Sequence, residues 1–145
     1  MDERVRELWA RTSLQVWPER YVLVSLPPRL LSQAAAAVAA CRGGFAALVL
    51  ELEEVSLTLE ETMWTASELR PWARVAGEVY KVVSFLPSLD LGVSGYFAPA
   101  AALLGEAGVA IVPQCAFLKD HVLVREVDLE RALRSLESLI ASCRR

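Results

Sequence analysis

The sequence has very few side chains that bind transition metals. It contains one histidine, His121, and three cysteines, Cys41, Cys115 and Cys143, which are far apart and lack the CxxC spacing of a zinc site. A single histidine with scattered thiols cannot complete a conventional Cys/His zinc site within one chain. We therefore expect no metal and no other cofactor, and we expect the thiols to be reduced, as in a cytoplasmic protein.

The sequence also lacks an excess of positive charge. The formal net charge is -3 and the isoelectric point is near 5.2, so the chain has no basic field that would attract a phosphate backbone. Its 145 residues are 54% apolar and 23% charged, which is too apolar for a disordered chain and sufficient for one domain or two very small ones. These values predict a compact globular protein without a nucleic-acid partner.

A long apolar segment in the second half invites a membrane interpretation. Residues 92–118 carry a single charge, Glu106, and are long enough to cross a bilayer. Pro99, Gly108 and Pro113 interrupt the segment, and a helix followed by a buried strand explains the same composition. The N-terminus also lacks the apolar run of a secretory signal. We therefore predict a cytoplasmic protein that makes no contact with a membrane.

Two short segments of similar sequence suggest an internal repeat. Residues 21–27 (YVLVSLP) and 80–87 (YKVVSFLP) are rich in β-branched and aromatic residues and end at proline, as strands do. In the first half, the pattern that follows predicts a helix over 30–41, strands over 45–52 and 55–59, and a short helix over 62–69. In the second half it predicts a helix over 96–107, strands over 109–113 and 121–124, and a final helix capped by the side chain of Asp128.

The order strand, helix, strand, strand, helix in each half predicts an α+β fold of the ferredoxin-like (βαββαβ) type. Residues 14–16 can supply one further strand. We expect antiparallel sheets with helices on one face, arranged as two tandem units over 14–75 and 76–145 behind an N-terminal extension over 1–13. Exposed sheet edges invite pairing between copies, so we expect a homodimer.

Few residues favour catalysis. His121 opens a predicted strand, where a lone histidine is usually structural, and Asp120 beside it should point to the opposite face. Cys115 has no cationic neighbour in the sequence and should pack as a small apolar side chain. We therefore predict that the chain is not an enzyme. Convergence of Cys115, Asp120 and His121 in one cleft would favour the alternative.

An acidic cluster in the first half has two interpretations. It fits a site for a hard cation or, more simply, a solvated turn and strand end. Its members are Glu51, Glu53, Glu54, Glu60 and Glu61. We favour the solvated turn.

The connection over residues 87–95 (PSLDLGVSG) combines glycines, hydroxyls and one acidic side chain between a strand and a helix. Free backbone N–H groups emerge at the start of a helix, so such a junction can receive a ligand carboxylate while Asp90 meets a ligand ammonium group. The alternative is an ordinary connection in which Ser94 caps the helix.

Together these segments resemble the ACT-domain superfamily. The similarity is closest to small tandem ACT-domain proteins related to the CASTOR arginine sensors and to the regulatory part of aspartate kinases, and it covers about residues 14–142. The segments that carry it are 90–98 (DLGVSGYFA), 103–111 (LLGEAGVAI), 119–124 (KDHVLV) and 128–133 (DLERAL). The first half is similar through 14–21 (LQVWPERY) and 54–57 (EVSL).

The resemblance implies a ligand site formed by the strand-to-helix loop and by the segment before His121. The residues it nominates are Asp90, Gly92, Val93, Ser94, Gly95, Ala116, Phe117 and Asp120, with Ser56 and Leu57 from the first half. Asp120 would meet a cationic group. The chain departs from the family pattern at Gly92–Gly95, at Cys115 and Ala116, and at Lys119, so arginine does not follow as the ligand.

The function that the resemblance implies is regulatory. We expect a homodimeric, allosteric ACT-domain protein that binds an amino acid or a similar small ligand at an interface between domains or copies, and passes its occupancy to a protein partner. The alternative is a module for oligomerisation or interaction that binds no ligand.

Overall fold

The chain forms two compact units, one of which is assembled from both ends of the sequence. The computed structural model describes residues 1–86 and 88–145. The central unit is Pro18–Tyr80, and the terminal unit combines Met1–Trp17 with Lys81–Arg145. The expected division between residues 75 and 76 separates two repeated units of the sequence and stays a prediction. The compact units, by contrast, group residues 1–17 with the second half of the chain.

Apart from the first helix and the two-residue strand Arg74–Val75, which were not predicted, the helices and strands follow one another in the order that the two halves of the sequence predict. Before the central unit come α1 (Glu3–Arg11) and β1 (Ser13–Val16). The central unit contains β2 (Tyr21–Leu26), α2 (Leu31–Ala39), β3 (Ala47–Leu50), β4 (Val55–Glu60), α3 (Glu61–Thr65) and β5 (Arg74–Val75). After it come β6 (Tyr80–Leu86), α4 (Ala98–Glu106), β7 (Ile111–Pro113), β8 (His121–Arg125) and α5 (Leu129–Cys143).

The central unit has an antiparallel sheet with the strand order β3-β4-β2-β5. Tyr21 lies opposite Glu60 and Leu26 lies opposite Val55. The alternating apolar residues of β2 and β4 point into a core that α2 and α3 also supply, including Leu57 and Trp64. Helix α3 ends at Thr65, before the predicted end at 69, since the Ser67 hydroxyl accepts from the Leu69 N–H and offers the backbone a turn.

The terminal unit has the same plan, with β1 in the position that β5 occupies in the central unit. Its strand order is β1-β6-β8-β7. β1 pairs antiparallel with β6, and β7 pairs antiparallel with β8. β1 therefore completes a βαββαβ-like unit whose last strand comes from the N-terminus. The predicted α+β, ferredoxin-like fold class is confirmed. The predicted strand over 80–87 is Tyr80–Leu86, and Pro87 lies outside the described residues.

Helix α1 is an integral part of this unit. Asp2 caps it by accepting from the Arg4 N–H at 2.9 Å, and Val5 and Trp9 are buried against the core. The Arg144 Nε after α5 donates to the Ala10 carbonyl at 2.9 Å. Residues expected to form an extension thus contribute a helix to the core of the terminal unit.

The predicted cap of α5 is wrong in its mechanism. Asp128 lies at the N-cap position, but its side chain makes no capping hydrogen bond. The carboxylate accepts instead from the Arg125 Nε at 2.7 Å and from the Arg131 guanidinium. Hydrogen bonds from Arg125, and the positive charge of both arginines, hold the pKa of Asp128 below its usual value. Charge-assisted bonds to two guanidinium groups are stronger than a bond to one backbone amide.

Candidate functional site

A cavity of about 490 Å³ opens in the terminal unit. It lies between the connection from β6 to α4 (residues 88–97) and the connection from β7 to β8 (residues 114–120). The residues that line it are Leu89, Asp90, Leu91, Val93, Gly95, Tyr96, Phe97, Ala98, Cys115, Ala116, Phe117, Leu118, Lys119 and Asp120. The two segments that the sequence nominated therefore form walls of one cavity.

The first wall is a loop held by its own polar atoms. The Asp90 Oδ1 accepts from the Gly92 N–H at 2.9 Å, and the Asp90 carbonyl accepts from the Val93 N–H at 3.0 Å. These bonds form a turn in which the aspartate side chain replaces a backbone acceptor. Gly95 has φ +81°, a conformation that residues with a Cβ rarely adopt. The loop therefore reaches the start of α4 by a path that the sequence fixes locally.

The second wall continues the hairpin of β7 and β8. The Gln114 N–H donates to the His121 carbonyl and the Ala116 N–H donates to the Lys119 carbonyl, both at 2.9 Å. The Leu89 N–H donates to the Leu118 carbonyl at 2.7 Å and so joins this hairpin to the first wall. Backbone hydrogen bonds thus fix the spacing of the two walls.

Tyr96 closes the cavity toward the core, and residues of the N-terminal segment hold it there. The indole of Trp9 stacks on the Tyr96 ring with centroids 4.8 Å apart, and its Nε1 donates to the Tyr96 carbonyl at 2.7 Å. The Thr12 Oγ1 and the Tyr96 hydroxyl lie 2.6 Å apart. Burial raises the pKa of Tyr96 to about 12, so this hydroxyl keeps its proton at neutral pH.

The charges of the cavity are of both signs. Asp90, Lys119 and Asp120 are the acidic and basic side chains among its described lining residues. The start of α4 also faces it, and no described side chain makes a capping hydrogen bond there. Uncapped N–H groups at a helix start carry partial positive charge. Ser94 does not cap this helix, because the N-cap position is Phe97, so the predicted cap is wrong.

Cys115 lies on the cavity wall and is exposed; it does not pack as the small buried side chain that its sequence context predicts. Partial burial of its sulfur, followed by a hydrogen bond with Asp120 and the charge of that carboxylate, raises the pKa of Cys115 to about 11. A thiol with such a pKa is almost entirely protonated at neutral pH and is a poor nucleophile.

His121 lies outside the cavity lining. Its Nδ1 is 2.6 Å from the Ser84 Oγ, which also accepts from the Trp17 Nε1 at 2.8 Å. Burial lowers the pKa of His121, and the residue is buried beside β6 as a structural histidine. Asp120 and Cys115 line the cavity whereas His121 does not, so the three candidate catalytic residues do not all converge in it.

The nominated site residues fall into three groups. Asp90, Val93, Gly95, Ala116, Phe117 and Asp120 line the cavity, while Gly92 and Ser94 lie in the same loop without lining it. Ser56 and Leu57 belong to β4 in the central unit, where Ser56 is opposite Ser25 and Leu57 is fully buried. As ligand-binding residues all of them stay predictions.

Sequence reasoning missed six apolar and aromatic members of the walls. The missed residues are Leu89, Leu91, Tyr96, Phe97, Ala98 and Leu118. Leu91 and Leu118 could have been predicted, because large apolar side chains in a loop often line a binding surface. Tyr96 could not, since its role depends on Trp9.

Three acidic residues of the central unit interact with neighbouring groups. The Ser25 hydroxyl donates to Glu54, the Glu51 Oε1 accepts from the Glu53 N–H at 2.8 Å, and Arg20 pairs with Glu61 at 3.3 Å. Within residues 1–86 and 88–145 no three His, Cys, Asp or Glu side chains are placed to hold a metal ion.

In the part of the chain that the structure describes, the helices are too short or too polar to span a bilayer.

No protein-family model matches the chain, and no curated protein matches it. Several solved structures do. A Vibrio cholerae protein of unknown function, a possible transport protein, superposes with a TM-score of 0.74 at 17% identity, covering 95% of this chain and 97% of that one. A protein from Agrobacterium tumefaciens gives 0.69 at 22% identity and 90% of both chains.

The regulatory subunit of aspartate kinase from Thermus thermophilus, in a ligand-free form, superposes with a TM-score of 0.62 at 14% identity. The match covers 88% of this chain and 96% of that one. Identities this low show the fold alone. Over nearly its whole length, the chain therefore has the fold of the regulatory (ACT) domains of aspartate kinases.

Proposed function

We propose that the chain is a regulatory protein that binds a free amino acid in the cavity of its terminal unit and passes this occupancy to a protein partner. The observation that carries the proposal is the arrangement of charge in the cavity. Lys119 and the start of α4 offer positive charge, and Asp120 offers negative charge, on walls held by backbone hydrogen bonds.

A zwitterion matches this arrangement. Its carboxylate would meet Lys119 and the backbone N–H groups of Phe97 and Ala98 at the start of α4, because helix starts favour anions. The next residue is a proline and has no N–H. The ammonium group of the ligand would meet Asp120, with Asp90 nearby on the opposite wall. The volume of about 490 Å³ lies in the roughly 300–1,000 Å³ range of small-molecule sites.

The similarity to regulatory subunits supports the non-enzymatic part of the proposal. So do the raised pKa of Cys115 and the position of His121 away from the cavity. Regulation would follow from differential affinity, because a ligand stabilises whichever arrangement of the protein binds it best. We propose a cytoplasmic homodimer as the form in which this happens.

The test is calorimetric titration of the full chain with each of the twenty amino acids. We expect at least one to bind, and Asp120→Asn to weaken it about 10- to 100-fold, the equivalent of one charge-assisted hydrogen bond. Glu137→Gln, on the exposed surface of α5, is the matched control and should bind normally. Absence of binding at millimolar concentrations would reject the proposal.

A module that binds no ligand is the second candidate, and the exposed Leu91, Phe117 and Leu118 beside the cavity favour it. It predicts that Phe117→Ser dissociates an oligomer of the chain and that no amino acid binds. Sedimentation velocity of both proteins, together with the titrations, separates the two candidates.

A further inference from the structure

We infer that the amino acid bound in this cavity has an uncharged, apolar side chain. The inference rests on the proposed function and names its ligand class. It follows from the parts of the wall that remain once a carboxylate and an ammonium group have been placed.

The charged side chains of the cavity are already committed. Lys119 and Asp120 are required for the two charges that every amino acid carries. The Asp90 Oδ1 accepts from the Gly92 N–H within its own loop, the Asp90 side chain is otherwise exposed to water, and Asp120 also accepts from the Cys115 thiol. A charged ligand side chain would lose part of its hydration and gain at most an exposed ion pair, which contributes little.

The remaining wall is apolar and exposed to water. Leu91 is 71% exposed, Phe117 74% and Leu118 52%, and these three residues also line an adjoining groove of about 450 Å³. Large apolar side chains gathered at one place on a protein surface are uncommon unless they bind something. An apolar ligand side chain would remove water from them, which strengthens binding in proportion to the area covered.

The size of the effect follows from the transfer free energy of a methylene group. Each buried methylene strengthens binding about fourfold, so leucine should bind on the order of 50-fold more tightly than alanine if its three additional carbons are buried. Asparagine has nearly the same size and shape as leucine and no net side-chain charge. It should bind no better than alanine, because burying its amide without partners offsets the contact that it gains.

The test is calorimetric titration of the full chain with alanine, valine, leucine, asparagine, aspartate, lysine and arginine. We expect affinity to rise from alanine through valine to leucine, and the other four to bind more weakly than leucine. Phe117→Ser should weaken leucine about tenfold or more and leave alanine nearly unchanged. The control is Val127→Ser, at a residue that is 80% exposed and absent from the cavity lining.

The outcomes distinguish failure of the proposed function from failure of the inference about the ligand side chain. If neither these seven nor the remaining thirteen amino acids bind, the proposed function fails. If arginine, lysine, aspartate or asparagine binds more tightly than leucine, the function stands and the inference about the side chain is overturned. If leucine binds equally to the wild type and to Phe117→Ser, the apolar wall is not the binding surface and the inference is likewise overturned.

Discussion

The contact between Trp9 and Tyr96 yields the sharpest prediction of stability. Trp9 is fully buried, its ring stacks on Tyr96 at an interplanar angle of 11°, and its Nε1 donates to the Tyr96 carbonyl at 2.7 Å. In Trp9→Phe the aromatic packing is largely kept, but the carbonyl loses its donor and the smaller ring leaves a void. A buried acceptor left without a partner costs about 1–3 kcal/mol.

We expect Trp9→Phe to lower the free energy of unfolding by about 2–3 kcal/mol, which is less than the roughly 3–5 kcal/mol of truncating a buried tryptophan to alanine. The assay is urea unfolding followed by far-ultraviolet circular dichroism. The midpoint should fall by about 1 M, because the urea dependence of proteins of this size is about 1–3 kcal/mol per molar.

Trp72→Phe is the matched control for this prediction. Trp72 is 54% exposed and its ring lies 5.0 Å from the Arg29 guanidinium carbon. The same substitution should change the free energy of unfolding by only about 0.5 kcal/mol or less at such a surface position. Equal shifts in the two variants would refute the claim that Trp9 anchors the wall of the cavity.

Three further predictions concern single residues. Gly108 has φ +67°, so Gly108→Ala should lower the melting temperature by an amount that corresponds to about 1 kcal/mol or more, whereas Gly105→Ala inside α4 should raise it. Asp128→Asn should destabilise the protein at pH 7, since a carboxylate with a lowered pKa stabilises the fold while it is ionised. The difference in urea midpoint between the two proteins should shrink as the pH is lowered stepwise through the folded pKa of Asp128. His121 has a lowered pKa and is buried, so its contribution to stability should be lost as the pH falls from about 6.5 toward its folded pKa, and His121→Gln should remove that part of the pH dependence.

The fold could be predicted from the sequence because its signals are local. Apolar alternation over 55–59 and the three- and four-residue spacing in α5 mark each strand and helix within a short window. The two similar segments that begin at Tyr21 and Tyr80 indicate the internal repeat. The first wall of the cavity was also accessible, because glycines and an aspartate between a strand and a helix are a local signal. The second wall was nominated only through the family resemblance.

The long-range contacts that complete the terminal unit could not be predicted from local sequence patterns. β1 has four residues and pairs with β6, which lies far along the chain. Trp9 and Tyr96 are separated by 87 positions. Such partners are selected by tertiary packing, and a single sequence holds no local pattern that identifies them. The cap predicted for Asp128 is wrong for the same reason. Its carboxylate accepts from two arginine side chains instead of the backbone amides that the local pattern favoured.

These long-range contacts link the proposed ligand site to the N-terminal helix. Tyr96 lines the cavity and is held by Trp9 and Thr12, while the carbonyl of Ala10 accepts from Arg144 after α5. Under the proposed function, a ligand that packs on the Tyr96 wall binds more tightly when α1 is docked than when it is displaced, because Trp9 and Thr12 hold that wall. Linkage is reciprocal, so a partner that displaces α1 would lower the affinity for the ligand by the same factor by which the ligand lowers the affinity for that partner. On this proposal, α1 is the element through which occupancy of the cavity would reach another protein.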